Sequence, residues 1–152
     1  MRFLLVDGIR EIEPGERIVG VKNASMSEDF FTHHFPQRPI MPGLLVVESM
    51  VQLARWLVIA DSGFTTSVLL DEVDRCKFRG FAVPGDQIAI EVRRQSVDAD
   101  RHRFAGAASV DGRSTVTAAF STRAVPLTDL EDPARVRHQF DVLQPASEGS
   151  RV

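Results

Sequence analysis

Tyrosine is absent from this chain, and cysteine and tryptophan occur once each, at Cys76 and Trp56. A single cysteine excludes an intrachain disulfide and with it the disulfide-stapled class of small secreted domains, so a reducing cytoplasm is the expected compartment. Neither sign of charge dominates. The formal net charge is −3, and residues from 129 onward hold five acids and three arginines, so the body of the chain is close to neutral. That balance argues against nucleic acid as the main partner. No basic segment followed by an apolar run opens the chain, so no secretory leader is expected. The strongest apolar run, residues 43–60, is interrupted by Glu48, Gln52 and Arg55 and reads as a buried core helix with no membrane insertion. No internal repeat is present. What remains is ordinary: 152 residues, 43% hydrophobic and 26% charged, enough for one domain with its own core.

Local patterns give the expected order of elements. Residues 3–13 are rich in Leu, Val and Ile and read as a strand. The Glu13-Pro14-Gly15-Glu16 stretch has turn chemistry, and the alternation over 17–24 completes a hairpin. Residues 25–42 read as one long irregular loop carrying three prolines, three phenylalanines and His33-His34; a loop of that length in a compact domain is usually functional. A helix is expected from Pro42-Gly43 to Asp61-Ser62-Gly63. Strands follow at 67–78, 87–97, 102–110 and 113–125, separated by Pro84-Gly85-Asp86, Asp98-Ala99-Asp100 and the hairpin signal Asp111-Gly112. A helix that is apolar nearly all round needs cover on most sides, and a curling antiparallel sheet supplies it. The fold class is therefore α+β, with a domain over 1–125. The extension over 126–152 holds a short helix capped by Asp132-Pro133, with Val136 and Phe140 on one face, and disorder from about 144.

Chemistry concentrates between His34 and Glu48. Glu48, Gln52 and Arg55 fall at i, i+4 and i+7, one polar stripe on an apolar cylinder. A carboxylate so placed has to find a partner, take a proton or face a cavity. The plainer reading is a hydrogen bond to Gln52 with solvent at the sheet edge. His34 read alone is an ordinary loop histidine. Neighbouring histidines on an extended chain point apart and no third ligand lies at metal-binding spacing, so no metal is expected. Pro36, Pro39 and Pro42 stiffen the loop, and Gly43 and Leu44 present N–H groups at a helix start. Together these parts suit one reaction. An imidazole takes a proton alpha to a carbonyl, the helix start steadies the enolate-like oxygen, and a carboxylic acid held neutral by burial protonates a departing hydroxyl.

The run His34-Phe35-Pro36-x-Arg38-Pro39-x-Met41-Pro42-Gly43-x-Leu45-x-x-Glu48-x-Met50-x-Gln52 resembles the signature of the (3R)-hydroxyacyl-acyl carrier protein dehydratases of bacterial type II fatty acid synthesis, the FabZ type. The resemblance extends to Phe3-Leu4-Leu5-Val6-Asp7, Glu13-Pro14-Gly15, Phe30-Phe31, the Asp74 to Phe78 segment and Val83-Pro84-Gly85-Asp86, covering about residues 2–124. It implies the hotdog fold, a central helix wrapped by a curved antiparallel sheet. It implies His34 as base and Glu48 as acid, contributed by opposite chains of a homodimer, often assembled as a trimer of dimers. It also implies no cofactor and an acyl carrier protein as partner, with Phe35, Pro42, Gly43, Leu44 and Gln52 around the substrate. His33 stands where the family commonly has glycine, the chain starts later than its counterparts and its tail is longer. With no tyrosine, an aromatic gate has to be Phe or be replaced by Leu69 or Leu70. These departures bear on acyl length, pathway and oligomer size.

Two rival readings differ in kind. A hotdog thioesterase would use Glu48 to activate water, and the His-Phe-Pro loop argues against it. A non-catalytic acyl-binding module has no need of both His34 and Glu48. Arg75, Lys77 and Arg79 alternate along a predicted strand, which puts three cations on one face: a solvated face, or a docking patch for an acidic carrier protein.

Overall fold

Strict alternation of buried and more exposed residues over 101–110 is the sheet rule written in sequence, with His102, Phe104, Gly106, Ala108 and Val110 all facing inward. In the computed structural model, which describes residues 3–145, the elements are β1 (Gly8–Glu13), β2 (Arg17–Asn23), α1 (Phe30–His33), α2 (Gly43–Asp61), β3 (Thr66–Phe78), β4 (Gln87–Asp98), β5 (Arg101–Val110), β6 (Arg113–Pro126), a 3₁₀ turn (Leu127–Asp129) and α3 (Pro133–Leu143). The strands form one sheet in the order β1-β2-β4-β5-β6-β3, every pair antiparallel.

The sheet curls around α2, as the apolar cylinder requires. Val46, Val47, Met50, Leu53 and Leu57 are all buried against it, each fully buried side chain of this size stabilising by about 1.5–3 kcal/mol. Two glycines let the helix approach this closely. A Cβ at Gly106 would lie 2.5 Å from Met50 Sδ, and one at Gly20 would lie 2.6 Å from Leu53 Cδ2. Helix α2 is the one described helix long and apolar enough to cross a membrane, and it sits at the centre of the fold with most of its length covered.

The structure departs from the sequence expectations in three places. Residues 3–7 lie outside the strands, and the first backbone bond to β2 is the one Asp7 N–H donates to Val21 C=O (2.8 Å). Leu5 N–H donates instead to Gln52 Oε1 (2.9 Å), so the segment is tied to the helix. The segment expected to be irregular contains the single turn α1. Pro42 is the N-cap of α2 and Gly43 its first residue, one position later than a proline in the first turn.

The C-terminal segment packs back onto the far end of α2. Asp132 caps α3 by accepting from Ala134 N–H (3.1 Å), with Pro133 in the first turn. Val136 joins Ile59 and Leu127 in a small second core. The Phe140 ring lies 5.7 Å from Trp56 and 5.5 Å from Phe64, and the Arg137 guanidinium sits 4.1 Å above the Phe64 ring. Arg55 pairs with Glu131, both largely buried, and its Nε donates to Ser67 Oγ (2.8 Å). The expected disorder from about 144 falls mainly outside the described residues.

Candidate active site

The long connection from β2 to α2 is held by specific anchors. Lys22 is buried, pairs with Glu28 and lies 3.3 Å from Asp7, so a desolvated cation fixes the start of the loop. Ala24 exchanges backbone bonds with the Val83–Asp86 turn, accepting from Gly85 N–H (2.7 Å) and donating to Asp86 C=O (2.9 Å). Phe31 is buried and turns α1 onto the core. His34 follows as the cap of α1, its N–H donating to Phe30 C=O (3.0 Å) and its C=O accepting from Ile40 N–H (2.9 Å). The imidazole is thus placed by backbone bonds on both sides. Its Nδ1 is buried and makes no hydrogen bond within the described residues. The exposed Phe35 ring stacks on it at 4.4 Å between centroids, 24° between planes.

His34 opens into a cavity of about 270 Å³ together with Met41, Pro42, Gly43, Leu44, Phe78 and Thr115. The start of α2 forms one wall. Gly43 and Leu44 N–H groups have no acceptor among the described residues, as the first turn of a helix dictates. Gly43 is required here by contact, since a Cβ would lie 2.3 Å from the Phe78 ring. Leu44 is exposed beside it. Cys76, the only thiol, is partly buried, and burial pushes it above its ordinary range, which speaks against a thiolate nucleophile.

Glu48 does not line that cavity. It opens into a second, larger one of about 690 Å³ with Phe3, Leu4, Gln52, Leu69, Leu70 and Val142 among its walls. Both readings of Glu48 hold at once, since it faces this cavity and accepts a hydrogen bond from Gln52 Nε2 (3.1 Å). Gln52 also donates to Phe3 C=O (2.9 Å), which uses both amide hydrogens inside the chain. Gln52, expected beside the substrate, lines this cavity with Glu48, and its two hydrogen bonds orient Glu48 and pin the N-terminal segment.

Of the three expected docking cations, Arg75 and Lys77 lie on β3, but Arg79 lies past its end. Arg79 and Gly80 N–H both turn to Thr115 C=O (2.7 and 3.2 Å), which ends the ladder. A register shift between Val73 and Arg75 breaks the simple alternation. The same strand carries Asp71, Glu72 and Asp74, which meet Arg101 and Arg103 of β5 and Arg123 of β6, so the cations border a mixed-charge stretch. Sequence reasoning missed Phe78, Phe81 and Thr115 around His34. The phenylalanines at and just past the end of β3 were a usable signal; Thr115 had none.

Comparison with known proteins adds to this geometry. The family model of FabA-like domains matches residues 1–119. The 3-hydroxyacyl-[acyl-carrier-protein] dehydratase FabZ of Granulibacter bethesdensis is 42% identical over 122 residues, covering 78% of this chain and 72% of the relative. Its counterpart in Rickettsia bellii is 40% identical over 121 residues, covering 78% and 83%. Among solved structures, a hot-dog-like protein from Thermanaerovibrio acidaminovorans superimposes with a TM-score of 0.64 at 21% identity, covering 85% of this chain and 93% of that one, which shows the shared fold.

Proposed function

This chain belongs to the FabA-like family, among its FabZ-type 3-hydroxyacyl-acyl carrier protein dehydratases, and from that premise we propose that one working site is assembled from two copies, His34 of one and Glu48 of the other. The reaction removes water from a 3-hydroxyacyl thioester. In the proposed assignment His34 takes the proton from C2, the C3–O bond breaks as Glu48 protonates the departing hydroxyl, and a 2-enoyl thioester and water leave. The proton on His34 then returns to Glu48 through solvent, restoring both groups. Gly43 and Leu44 N–H groups face the thioester oxygen, where negative charge develops as C2 loses its proton. Phe35, Pro42 and Phe78 shield that end from water.

One observation carries the two-copy reading. Within one chain the two residues open into different cavities, so neither cavity holds His34 and Glu48 together. Among the described residues no strand lies beside the outer edge of β3, a strand on which Leu69, Leu70 and Val73 are exposed. A homodimer closing on that edge pairs the strand and brings one copy's His34 toward the other's Glu48.

Incubation with crotonyl thioester separates the dehydratase from a thioesterase. Loss of enoyl absorbance without thiol release is expected, because the reverse reaction adds water to the double bond and leaves the C–S bond whole. Free thiol appearing at the same rate would instead make Glu48 a base for hydrolytic water.

The carrier protein is proposed to approach over Arg75, Lys77 and Arg79. An acidic partner drawn by such a patch associates more slowly as salt rises. Replacing Arg75 and Arg79 with Glu is expected to raise KM for the carrier-bound substrate and flatten its salt dependence. Turnover of a small thioester should hold. Equal damage to both substrates would place these residues in the fold or the site rather than in docking.

A further inference from the structure

We propose that α3 is a specificity element, walling the cavity that Glu48 faces and selecting the acyl chain by length; this rests on the dehydratase reading above. The chemistry dictates where the chain must go. Glu48 protonates the hydroxyl on C3, so every carbon beyond C3 has to continue past Glu48 on the side away from the thioester. The space open to it there is the cavity of about 690 Å³ that Glu48 lines. Leu69 and Leu70 line it from β3, Phe3 and Leu4 from the N-terminal segment, and Leu130 and Val142 from the C-terminal segment.

Helix α3 lies outside residues 1–119, the part that matches the family model, so the common chemistry does not call for it. It is nevertheless firmly set. Val136 and Phe140 are buried, Arg55 pairs with Glu131, and Asp132 caps the first turn. A wall held this firmly sets a boundary to the cavity, because a packed helix does not yield to a longer chain as a loop would. Val142, 70% exposed, and Leu130, 41% exposed, have no part in the buried core, yet both are large, apolar and turned to the cavity. Solvent-facing positions on a polar helix do not need such residues; a wall for an alkyl chain does.

The test is the length profile of the full-length chain carrying Val142→Trp, read as hydration of small four-carbon and ten-carbon 2-enoyl thioesters. Extra bulk in the cavity is expected to lower kcat/KM for the ten-carbon substrate about tenfold or more relative to that for the four-carbon substrate. Leu130→Trp, at the other end of the segment, is expected to act in the same direction and reads the inference if the first variant folds poorly. Equal loss at both lengths, or no change at either, in folded variants overturns it. A loss accompanied by a smaller assembly in light scattering also overturns it, because a second copy of the chain then fills the cavity. Wild-type chain that hydrates neither substrate overturns the dehydratase reading, and the inference falls with it. Wild-type activity with a profile indifferent to both variants overturns the inference alone.

Discussion

His34→Ala and Glu48→Gln are each expected to lower dehydration about 10²–10⁴-fold, the usual cost of removing a positioned acid or base, while the fold survives. The structure explains why stability and activity should separate. His34 is held through its backbone, by Phe30 C=O and Ile40 N–H, and its Nδ1 supports nothing else in the described chain. Removing the imidazole therefore leaves the loop its anchors. Glu48 is half-buried and makes one described hydrogen bond, to Gln52. Glutamine at 48 keeps the shape and an oxygen acceptor for that bond but has no proton of suitable acidity to give. Rates of hydration and dehydration with thermal unfolding midpoints on the same samples check this. A variant with near wild-type turnover would remove its residue from the mechanism. A variant that loses activity only because it unfolds would give it a structural role.

Mixing the two dead variants should restore activity. In a dimer whose sites each take His34 from one chain and Glu48 from the other, a mixed pair holds one site with both groups intact and one with neither. Random exchange makes half the dimers mixed, so recovery should approach about a quarter of the wild-type rate. This exceeds either parent by one to three orders of magnitude if each has lost 10²–10⁴-fold. Exchange has to be shown independently, by mass tags on the two variants. Full exchange with no recovery would mean that the two residues act within one chain, and the loop bearing His34 would then have to move to reach the cavity of Glu48.

The long helix, the antiparallel strands and the His34–Glu48 spacing were legible because each rests on local pattern. An apolar run with a proline before it and a glycine after it is a helix wherever it sits, and Asp111-Gly112 makes a hairpin without help. Other features depend on contacts distant in sequence. Phe3-Leu4-Leu5-Val6 has every mark of a strand, and the segment is held instead by Gln52 on the central helix and by burial of Leu5 and Val6 in the core. The division of His34 and Glu48 between two cavities is equally invisible in a string of letters, since a spacing along the chain does not say which side of a helix each group reaches. Arg79 looked like the third member of an alternating row because the end of a ladder is set by its partner strand, here at Thr115.

Strand β3 also has consequences for how the chain is made. Every other hydrogen-bonded pair in the sheet joins strands that are consecutive or separated only by the helical stretch and β3 itself. β3 alone waits for the last strand, its register running from Thr66 against Pro126 to Phe78 against Val116. As the chain leaves the ribosome, this strand and its exposed leucines have no native neighbour until β6 has followed. Such late pairing slows folding and leaves sticky intermediates open to capture. The strand also bears Asp71, Glu72, Asp74, Arg75 and Lys77, and charges of both signs on an orphan strand keep it soluble and discourage wrong pairings during the wait. The last native seam of the sheet to close is thus the one that carries Leu69 and Leu70, so a half-made protein lacks a finished wall to the cavity that Glu48 faces.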